Sequence, residues 1–196
     1  MTGPAQRVLV AGTGGGVGTT TLTALLFARL RDRSGGAPRL LDHTGGSLGA
    51  RLPDGDEVRL VDELVSLHDL GPLALAAGVP ALADPAAVLV VVSAATPVGV
   101  ELAVAARTAV GDLTPEALSR TVLVLVEVFG RHRLRRELRA LTGGPQPADV
   151  LVLREDPALA AGGRIRLSRL SPATLRSTAA LLDAALPERV PLPPLR

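Results

Sequence analysis

The sequence contains no cysteine, tryptophan, tyrosine, lysine or asparagine among its 196 residues, and it has two phenylalanines. The absence of cysteine excludes disulfide frameworks, thiolate nucleophiles and cysteine-type zinc sites. Because all 21 basic side chains are arginine, any chemistry that needs an amine side chain is excluded as well. The three histidines are scattered, which argues against a histidine-rich metal site.

An excess of charge of one sign is also missing, because 21 arginines stand against 19 acidic residues and leave a net charge of +2. A dedicated nucleic-acid binder usually carries a strong positive excess, so the charge balance argues against that class. The isoelectric point near 10.7 reflects the very high pKa of arginine rather than a basic surface at neutral pH. With 47% hydrophobic residues, the chain can bury a core, and we expect one globular domain over residues 1–196.

Long hydrophobic runs are absent too. Arg7 is followed by four apolar residues and then by glycines, which is not the pattern of a signal peptide. The uncharged, largely apolar stretch from Pro85 to Val100 has 16 residues and contains Pro97, so it is too short and too broken for a membrane span. We therefore expect a cytoplasmic protein with an extended, proline-rich tail from Pro187 to Arg196. The abundance of alanine, glycine, proline and arginine is typical of a GC-rich bacterial genome.

Six segments rich in valine and leucine alternate with helical patterns, which is typical of a parallel sheet with helices on both faces. We predict an α/β fold, a three-layer sandwich around a mostly parallel central sheet. The predicted strands are Arg7 to Ala11, Pro38 to Leu41, Glu63 to His68, Ala87 to Ser93, Arg120 to Val128 and Asp149 to Leu153. We also consider a seventh short strand around Arg164 to Leu167.

Apolar residues at helical spacing predict helices between these strands. A helix after the first glycines has one apolar face, formed by Leu22, Leu25, Leu26 and Leu30. A helix after Pro97 has an apolar face formed by Leu102, Ala103, Ala106 and Val110. The last helix is predicted to begin after Ser171, an N-cap residue followed by Pro172, and to end near Leu186.

The most specific motif runs from Val8 to Thr21. A hydrophobic strand passes through five glycines in seven residues into a helix that starts with three threonines. Glycines let the backbone turn successive N–H groups inward, and a helix N-terminus adds partial positive charge, so the main chain alone could hold a phosphate. The dinucleotide-binding pattern fails because Val17 stands at its third glycine. The alternative is a tight strand-to-helix turn that binds nothing.

Within this motif, Gly14 to Thr21 aligns without a gap to the sequence KGGVGKTT. It resembles the deviant Walker A loop of ParA/MinD-type P-loop ATPases of the SIMIBI class. Three further segments resemble motifs of the same family in the same order. Leu41 to Leu48 is similar to DxDPxGGxL, His68 to Pro72 to DLPPG, and Leu153 to Leu159 to IPYDPAL. The resemblance implies a P-loop domain that binds ATP or ADP with Mg²⁺.

The resemblance also implies roles for single residues. Thr20 would coordinate Mg²⁺, Asp69 would hold the metal through water, and Asp42 would position the water that attacks the γ-phosphate. These groups would lie at the carboxyl ends of neighbouring parallel strands, where open α/β sheets bind ligands. The residues implied in nucleotide binding are Gly14, Gly15, Gly16, Val17, Gly18, Thr19, Thr20, Thr21, Glu127 and Arg154.

The sequence departs from the family at the charged positions of the loop. Gly14 and Thr19 stand where the two lysines of the motif would be. A charge-assisted hydrogen bond contributes about 1.5 to 3 kcal/mol, so each loss weakens nucleotide binding roughly 10- to 150-fold, and the transition state suffers more. Glu127 stands where relatives often have a base-reading asparagine, and Arg154 replaces the proline on which adenine would rest. Leu40 replaces the first aspartate of the DxD pair.

Structural interpretations compete with these roles. Asp42 and Asp69 could each cap the turn after a strand, and Thr20 could cap the first helix. His43 and His68 lie beside the two aspartates, and we interpret them as hydrogen-bonding neighbours without a catalytic role.

An arginine-rich segment, residues 131–139, follows the fifth strand. Its apolar stripe is formed by Leu134, Leu138 and Leu141, so the arginines project to the other sides. We interpret them as a solvated helix face. The alternative is a patch for DNA, an acidic partner or anionic lipid through Arg131, Arg135 and Arg139. No aromatic residue lies among the arginines to stack on bases.

Three hypotheses for the function remain open. The first is a degenerate ParA/MinD-like nucleotide switch, or pseudo-ATPase, with impaired or absent hydrolysis. It would act through a protein partner or a homodimer in bacterial intracellular positioning, such as segregation, division-site placement or cargo positioning. The second is an active Mg-ATPase in which an arginine, with Arg154 as one candidate, replaces the missing cation. The third is an interaction module whose glycine loop binds no nucleotide.

Overall fold

The computed structural model describes residues 6–34, 36–53, 61–72, 80–113, 115–128, 134–142 and 149–186. Its six strands, numbered along the chain, are β1 (Gln6–Gly12), β2 (Ala37–Asp42), β3 (Val61–Gly71), β4 (Ala87–Ala94), β5 (Thr121–Val126) and β6 (Asp149–Leu153). They form one sheet in the order β2-β3-β1-β4-β5-β6, and every neighbouring pair is parallel. The predicted α/β class is confirmed.

Helices cover both faces of this sheet. They are α1 (Thr19–Ser34), α2 (Leu48–Arg51), α3 (Pro97–Leu113), α4 (Arg135–Thr142), α5 (Pro157–Ala160) and α6 (Pro172–Ala185), with 3-10 turns at Pro80–Ala83, Pro115–Arg120 and Leu167–Arg169. Val8 and Val10 of β1 belong to the core beneath α1 and α6, whereas Leu9 and Ala11 belong to the core beneath α3 and α4. Side chains alternate across a strand, so the two layers share the sheet as their common wall.

The central strands explain why the sheet was recognisable. Every residue of β4 and β5 is buried. A strand covered on both faces has no polar side, and it therefore reads as a continuous run of valine and leucine. The six predicted strands agree with the structure within a few residues. The largest differences are that β3 extends from Val61 to Gly71 and that β5 ends at Val126 rather than at Val128.

The seventh strand around Arg164 to Leu167 was wrong. Gly162 and Gly163 have φ values of +74° and +67°, and they turn the chain sharply before this segment. The Ile165 N–H donates to the Arg51 carbonyl at 3.1 Å, and the chain then enters the 3-10 turn. Ile165 is buried in the core as a single side chain, without a strand ladder.

The three predicted helices are present as α1, α3 and α6. The Ser171 hydroxyl accepts a hydrogen bond from the Thr174 N–H at 3.2 Å, which confirms its N-cap role. Leu102 was placed wrongly on the buried face of α3, because its side chain is 45% exposed. The buried face instead contains Gly99, Val100, Ala103, Ala106 and Val110. The predicted tail from Pro187 to Arg196 lies outside the described residues.

In the described ranges, no helix combines the length and the apolar character needed to cross a membrane.

Candidate functional site

A cleft of about 780 Å³ opens at the carboxyl ends of the strands. It is lined by residues that follow β1, β2, β3, β5 and β6. Open parallel α/β sheets bind ligands at this edge, and small-molecule sites typically have volumes of about 300 to 1,000 Å³. The cleft is therefore the candidate site, and its position follows from the strand order.

The glycine loop between β1 and α1 forms one wall of the cleft. Gly16 and Gly18 have φ values of +76° and +94°, in the left-handed region that favours glycine. A Cβ at Gly12 would lie 2.3 Å from the Thr19 hydroxyl oxygen and 3.0 Å from a Val17 methyl group. These glycines therefore let the loop close tightly against the start of the helix.

The N–H groups of residues 14–21 are the main chemical feature of this loop. On either side of them, the Thr13 N–H donates to the Val92 carbonyl at 2.9 Å, and the Leu22 N–H donates to the Gly18 carbonyl at 2.8 Å. Within the described part of the chain, none of the N–H groups between these two has a protein acceptor. They stand at the N-terminus of a helix of 16 residues, where the helix dipole adds positive potential. Such a row of donors suits an anion.

Most of the residues predicted to bind phosphate line the cleft. They are Gly14, Gly15, Gly16, Gly18, Thr19, Thr20 and Thr21. Val17 does not line it. Its side chain is 7% exposed and packs into the core below the loop, so it anchors the loop to the domain.

Asp69 of β3 lies next to the start of α1 and is fully buried. Its Oδ1 atom accepts a hydrogen bond from the Gly71 N–H at 3.1 Å, whereas its buried Oδ2 atom has no hydrogen-bond partner. Burial raises the pKa of Asp69, and the hydroxyl of Thr20 and the N–H of Gly71 partly oppose this rise. The negative charge of Asp42 raises the pKa of Asp69 further.

This pair of residues fits the chemistry of Mg²⁺. Mg²⁺ prefers oxygen ligands and usually keeps several waters and substrate phosphate oxygens, with one or two protein groups. The Thr20 hydroxyl lines the cleft and is one oxygen of this kind. The unpartnered Oδ2 of Asp69 is a second, although Asp69 is buried and does not itself line the cleft. Among the described residues there is no cluster of three or more His, Cys, Asp or Glu side chains that could hold a metal without such help.

Asp42, at the end of β2, is exposed and does not line the cleft. Its Oδ1 atom accepts hydrogen bonds from the Thr44 hydroxyl at 2.6 Å and from the Thr44 N–H at 2.8 Å. The hydroxyl of Thr44, followed by N–H groups of the same turn, holds the pKa of Asp42 below its usual value. The geometry is that of a turn cap, which was the structural alternative in the sequence analysis. The role of Asp42 in positioning water stays a prediction.

Arg51 is the functional candidate that sequence reasoning missed. It ends α2 and lines the cleft. Its Nη1 atom donates to the Gly163 carbonyl at 3.2 Å and its Nη2 atom to the Leu159 carbonyl at 3.4 Å. No motif marks this arginine, since its place depends on carbonyls more than a hundred positions away in the chain.

Glu127 and Arg154 line the opposite end of the cleft, after β5 and β6. The Glu127 N–H donates to the Leu153 carbonyl at 2.9 Å, which joins the two strand ends. Arg154 is exposed and Glu127 is half-buried. The structure therefore brings both predicted residues to the same cleft as the glycine loop.

Asp156 lines the cleft as well, but it has a structural task. Its buried carboxylate accepts hydrogen bonds from the Ala158 N–H at 3.0 Å, the Ser171 N–H at 2.9 Å and the Thr174 hydroxyl at 2.6 Å. It thereby caps α5 and ties it to the start of α6.

The two histidines beside the aspartates form a pair outside the cleft. The His43 Nε2 atom lies 3.2 Å from the His68 Nδ1 atom, and the Ser66 hydroxyl lies 3.1 Å from the His68 Nε2 atom. Burial lowers the pKa of His68, and the positive charges of His43, Arg7 and Arg39 lower it further. The interpretation of the two histidines as hydrogen-bonding neighbours agrees with this geometry.

The arginine-rich segment is described only in part, because Arg131, His132 and Arg133 lie outside the described residues. Leu134, just before α4, and Leu141 in α4 are buried, and Leu138 is half-buried. Arg136 and Arg139 are exposed, as expected for a solvated helix face.

No protein-family model and no curated protein matches the sequence. Among solved structures, the chain is similar to a nucleotide-binding protein from Archaeoglobus fulgidus, described in complex with ADP and with cobalt. The two are 17% identical, the match covers 97% of this chain and 93% of that chain, and the TM-score is 0.48. Similarity at this level carries no argument about function.

Proposed function

We propose that the protein is a ParA/MinD-like nucleotide-binding domain in which the main chain of residues 14–21 holds the phosphates of a nucleoside di- or triphosphate, ATP or ADP by the resemblance. The supporting observation is the row of N–H groups without protein acceptors at the N-terminus of α1. These groups border a cleft with room for a nucleotide. Any helix leaves its first four N–H groups unpaired, here those of residues 18–21. The N–H groups of residues 14–17 extend the row into the loop.

The side chains that line the cleft have no excess of positive charge, so nucleotide binding should depend strongly on a bound metal ion. The described arginines that line it are Arg51 and Arg154, and Glu127, Glu155 and Asp156 line it with the opposite sign. Mg²⁺ neutralises phosphate charge when it is bound. The hydroxyl of Thr20 would hold it directly and the carboxylate of Asp69 through water.

The domain acts as a switch with impaired or absent hydrolysis. The lysines that would stabilise a transition state are missing from the loop, and the Oδ1 atom of Asp42 already accepts two hydrogen bonds from Thr44. An active Mg-ATPase is the second candidate, and the guanidinium of Arg51 at the cleft favours it, since it could supply a substitute cation.

A path from the loop to a partner surface supports the switch. The Ser93 hydroxyl donates its single hydrogen to the Gly99 carbonyl at 2.6 Å. In the 2.7 Å hydrogen bond between the Thr13 and Ser93 hydroxyls, Thr13 is therefore the donor. Gly99 lies in α3, whose exposed side carries the apolar residues Val98 and Leu102. Occupation of the loop would thus act on a helix suited to a protein partner or to a second copy of the chain.

Calorimetric titration of MgATP, MgADP and inorganic tripolyphosphate into the pure protein tests the proposal, together with an assay of phosphate release. We expect binding of all three with dissociation constants in the high micromolar range and no turnover. Thr20→Val should weaken the Mg²⁺-dependent binding, whereas Gln6→Ala, at the opposite end of β1, should not. A folded protein that binds none of the three ligands at millimolar concentration would refute the proposal and favour the interaction module with an empty loop. Turnover that Arg51→Ala abolishes would favour the active enzyme.

A further inference from the structure

Arg51 is held at the cleft by both its main chain and its side chain. Its carbonyl accepts a hydrogen bond from the Ile165 N–H at 3.1 Å. Its Nη1 atom donates to the Gly163 carbonyl at 3.2 Å and to the Leu159 carbonyl at 3.4 Å, and its Nη2 atom donates to the same Leu159 carbonyl at 3.4 Å. Among the residues that the structure describes, Arg51 forms no ion pair. Main-chain carbonyls therefore fix the guanidinium and leave its charge without a carboxylate partner.

These contacts leave one edge of the guanidinium open. An arginine side chain has five N–H donors, two on each Nη atom and one on Nε. Three of them face the Leu159 and Gly163 carbonyls, and in the described part of the chain the Nε–H and the second Nη2–H have no protein acceptor. Since Nη1 and Nη2 share the Leu159 carbonyl, the engaged hydrogen of Nη2 is the one that faces Nη1. The two open donors therefore lie side by side, on Nε and Nη2.

Two parallel donors on a fixed cation match two oxygens of a phosphate group. Arg51 is half-buried and lines the cleft together with the glycine loop. Its helix, α2, packs against α1, and the row of open N–H groups stands at the N-terminus of α1. Because the carbonyls already hold the guanidinium, its side chain loses little conformational freedom when a ligand binds.

We propose that Arg51 is the phosphate-binding cation of the cleft, and that its open Nε–H and Nη2–H donate together to one phosphate group of a bound nucleotide. This inference rests on the proposed function, because it requires a polyphosphate at the glycine loop. It assigns to α2 a positive charge that the loop lacks at Gly14 and Thr19. The role is one of binding, so it does not depend on turnover.

The test is calorimetric titration of MgADP and of inorganic tripolyphosphate with Mg²⁺ into the full chain and into three variants. Arg51→Met should weaken the binding of both ligands about 10- to 150-fold, because a charge-assisted contact is lost. Arg51→Lys keeps the charge but cannot make two parallel hydrogen bonds, so it should also bind both ligands more weakly than wild type. Arg166→Met is the matched control. It removes an exposed arginine that follows the same turn and does not line the cleft, and it should leave both affinities unchanged.

Two further measurements distinguish phosphate binding from a structural role, since Arg51 also joins α2 to α5. Urea unfolding shows whether each variant is folded. Titrations at low and high salt show whether an ion contact has been lost, because salt screens the attraction between charges. The tripolyphosphate affinity of Arg51→Met should therefore fall less between low and high salt than the affinity of wild type. A cleft that is only loosened keeps its other charges and the full salt dependence.

The outcomes separate this inference from the proposed function. Equal tripolyphosphate affinities of wild type and folded Arg51→Met would overturn the inference and leave the proposed function standing. A loss of affinity with the full salt dependence of wild type, or an equal loss in Arg166→Met, would also overturn it. If Arg51→Met does not fold, Arg51→Lys decides the matter, and wild-type affinity in that variant would refute the paired contact. Failure of wild type to bind any nucleotide or tripolyphosphate would refute both proposals.

Discussion

Replacing Asp69 by asparagine should make the protein more stable and, at the same time, a poorer binder. The carboxylate is fully buried, and its Oδ2 atom has no hydrogen-bond partner. A buried polar atom without a partner costs about 1 to 3 kcal/mol, and more when it is charged. Asparagine keeps the acceptor for the Gly71 N–H, removes the charge and can donate to the Thr20 hydroxyl. We expect a gain of about 1 to 2 kcal/mol near neutral pH, which raises the melting temperature by about 2 to 8 °C in a domain of this size.

The sign of the pH dependence is fixed by the pKa of Asp69. Burial raises it above the ordinary aspartate value of 3.8, so between these two values the folded protein binds more protons than the unfolded chain. The cost of the buried charge is therefore absent below pH 3.8 and develops as the pH rises through the folded pKa. The advantage of Asp69→Asn should follow the same course, with its full size near neutral pH and little or none at low pH.

Urea unfolding of wild type and Asp69→Asn across this pH range measures the effect. Asp149→Asn serves as the control, because its exposed carboxylate at the start of β6 should change the free energy of unfolding by less than about 0.5 kcal/mol. In calorimetry, Asp69→Asn should also lose the Mg²⁺-dependent part of its nucleotide affinity. A less stable Asp69→Asn protein at neutral pH, or a difference that ignores pH, would refute the reasoning.

Three further predictions concern the loop and the cap. Thr19→Lys should tighten MgADP binding about 10- to 150-fold in calorimetry by restoring one cation, and an unchanged affinity would mean that phosphates do not lie at the loop. Gly12→Ala should destabilise the protein by about 1 to 3 kcal/mol in urea unfolding, whereas Gly14→Ala, with open space at its Cβ, should change it little; equal effects would contradict the contacts at Gly12. Asp156→Ala should cost about 3 kcal/mol above pH 4 by orphaning buried donors. Burial raises the pKa of Asp156, but hydrogen bonds from Thr174, Ser171 and Ala158 hold it below 3.8. The cost of the substitution should therefore shrink only as the pH falls through this lowered pKa. A cost that persists at such low pH would contradict the role of the Asp156 carboxylate as a cap.

The sheet could be predicted from sequence because its physics is local. A strand buried on both faces must be apolar throughout, and β4 and β5 are. The position of the cleft follows once the strands are parallel, because their carboxyl ends meet at one edge. The family resemblance assigned Glu127 and Arg154 to one site, and this geometry explains why they line the same cleft although 27 positions separate them in the chain.

What could not be predicted depends on contacts between distant segments. Arg51 reaches the cleft because α2 packs where carbonyls of the chain around α5 accept its guanidinium. Leu102 and Ala103 differ by one position on α3, and a helical pattern rich in apolar residues does not say which of them faces the sheet. Asp42 is ambiguous for a different reason. A carboxylate two residues before a threonine suits a turn cap as well as a catalytic site, and only the hydrogen bonds to Thr44 reveal the cap.

Asp69 and the glycine loop together are the argument against an empty turn. A connection between β1 and α1 needs glycine at the two positions with positive φ, Gly16 and Gly18, and at Gly12, where a Cβ would collide with Thr19. It leaves the N–H groups of residues 18–21 unpaired, as any helix does. Nothing else in the connection follows from its geometry alone. It does not need the further N–H groups of residues 14–17 to lack acceptors, nor a buried carboxylate oxygen without a hydrogen-bond partner. One ligand suits both features, since phosphate oxygens accept from the N–H groups and the cation that accompanies them meets the carboxylate. An anion without a metal would accept hydrogen bonds from the loop but would destabilise the ionised form of Asp69, because it would add negative charge beside a buried carboxylate.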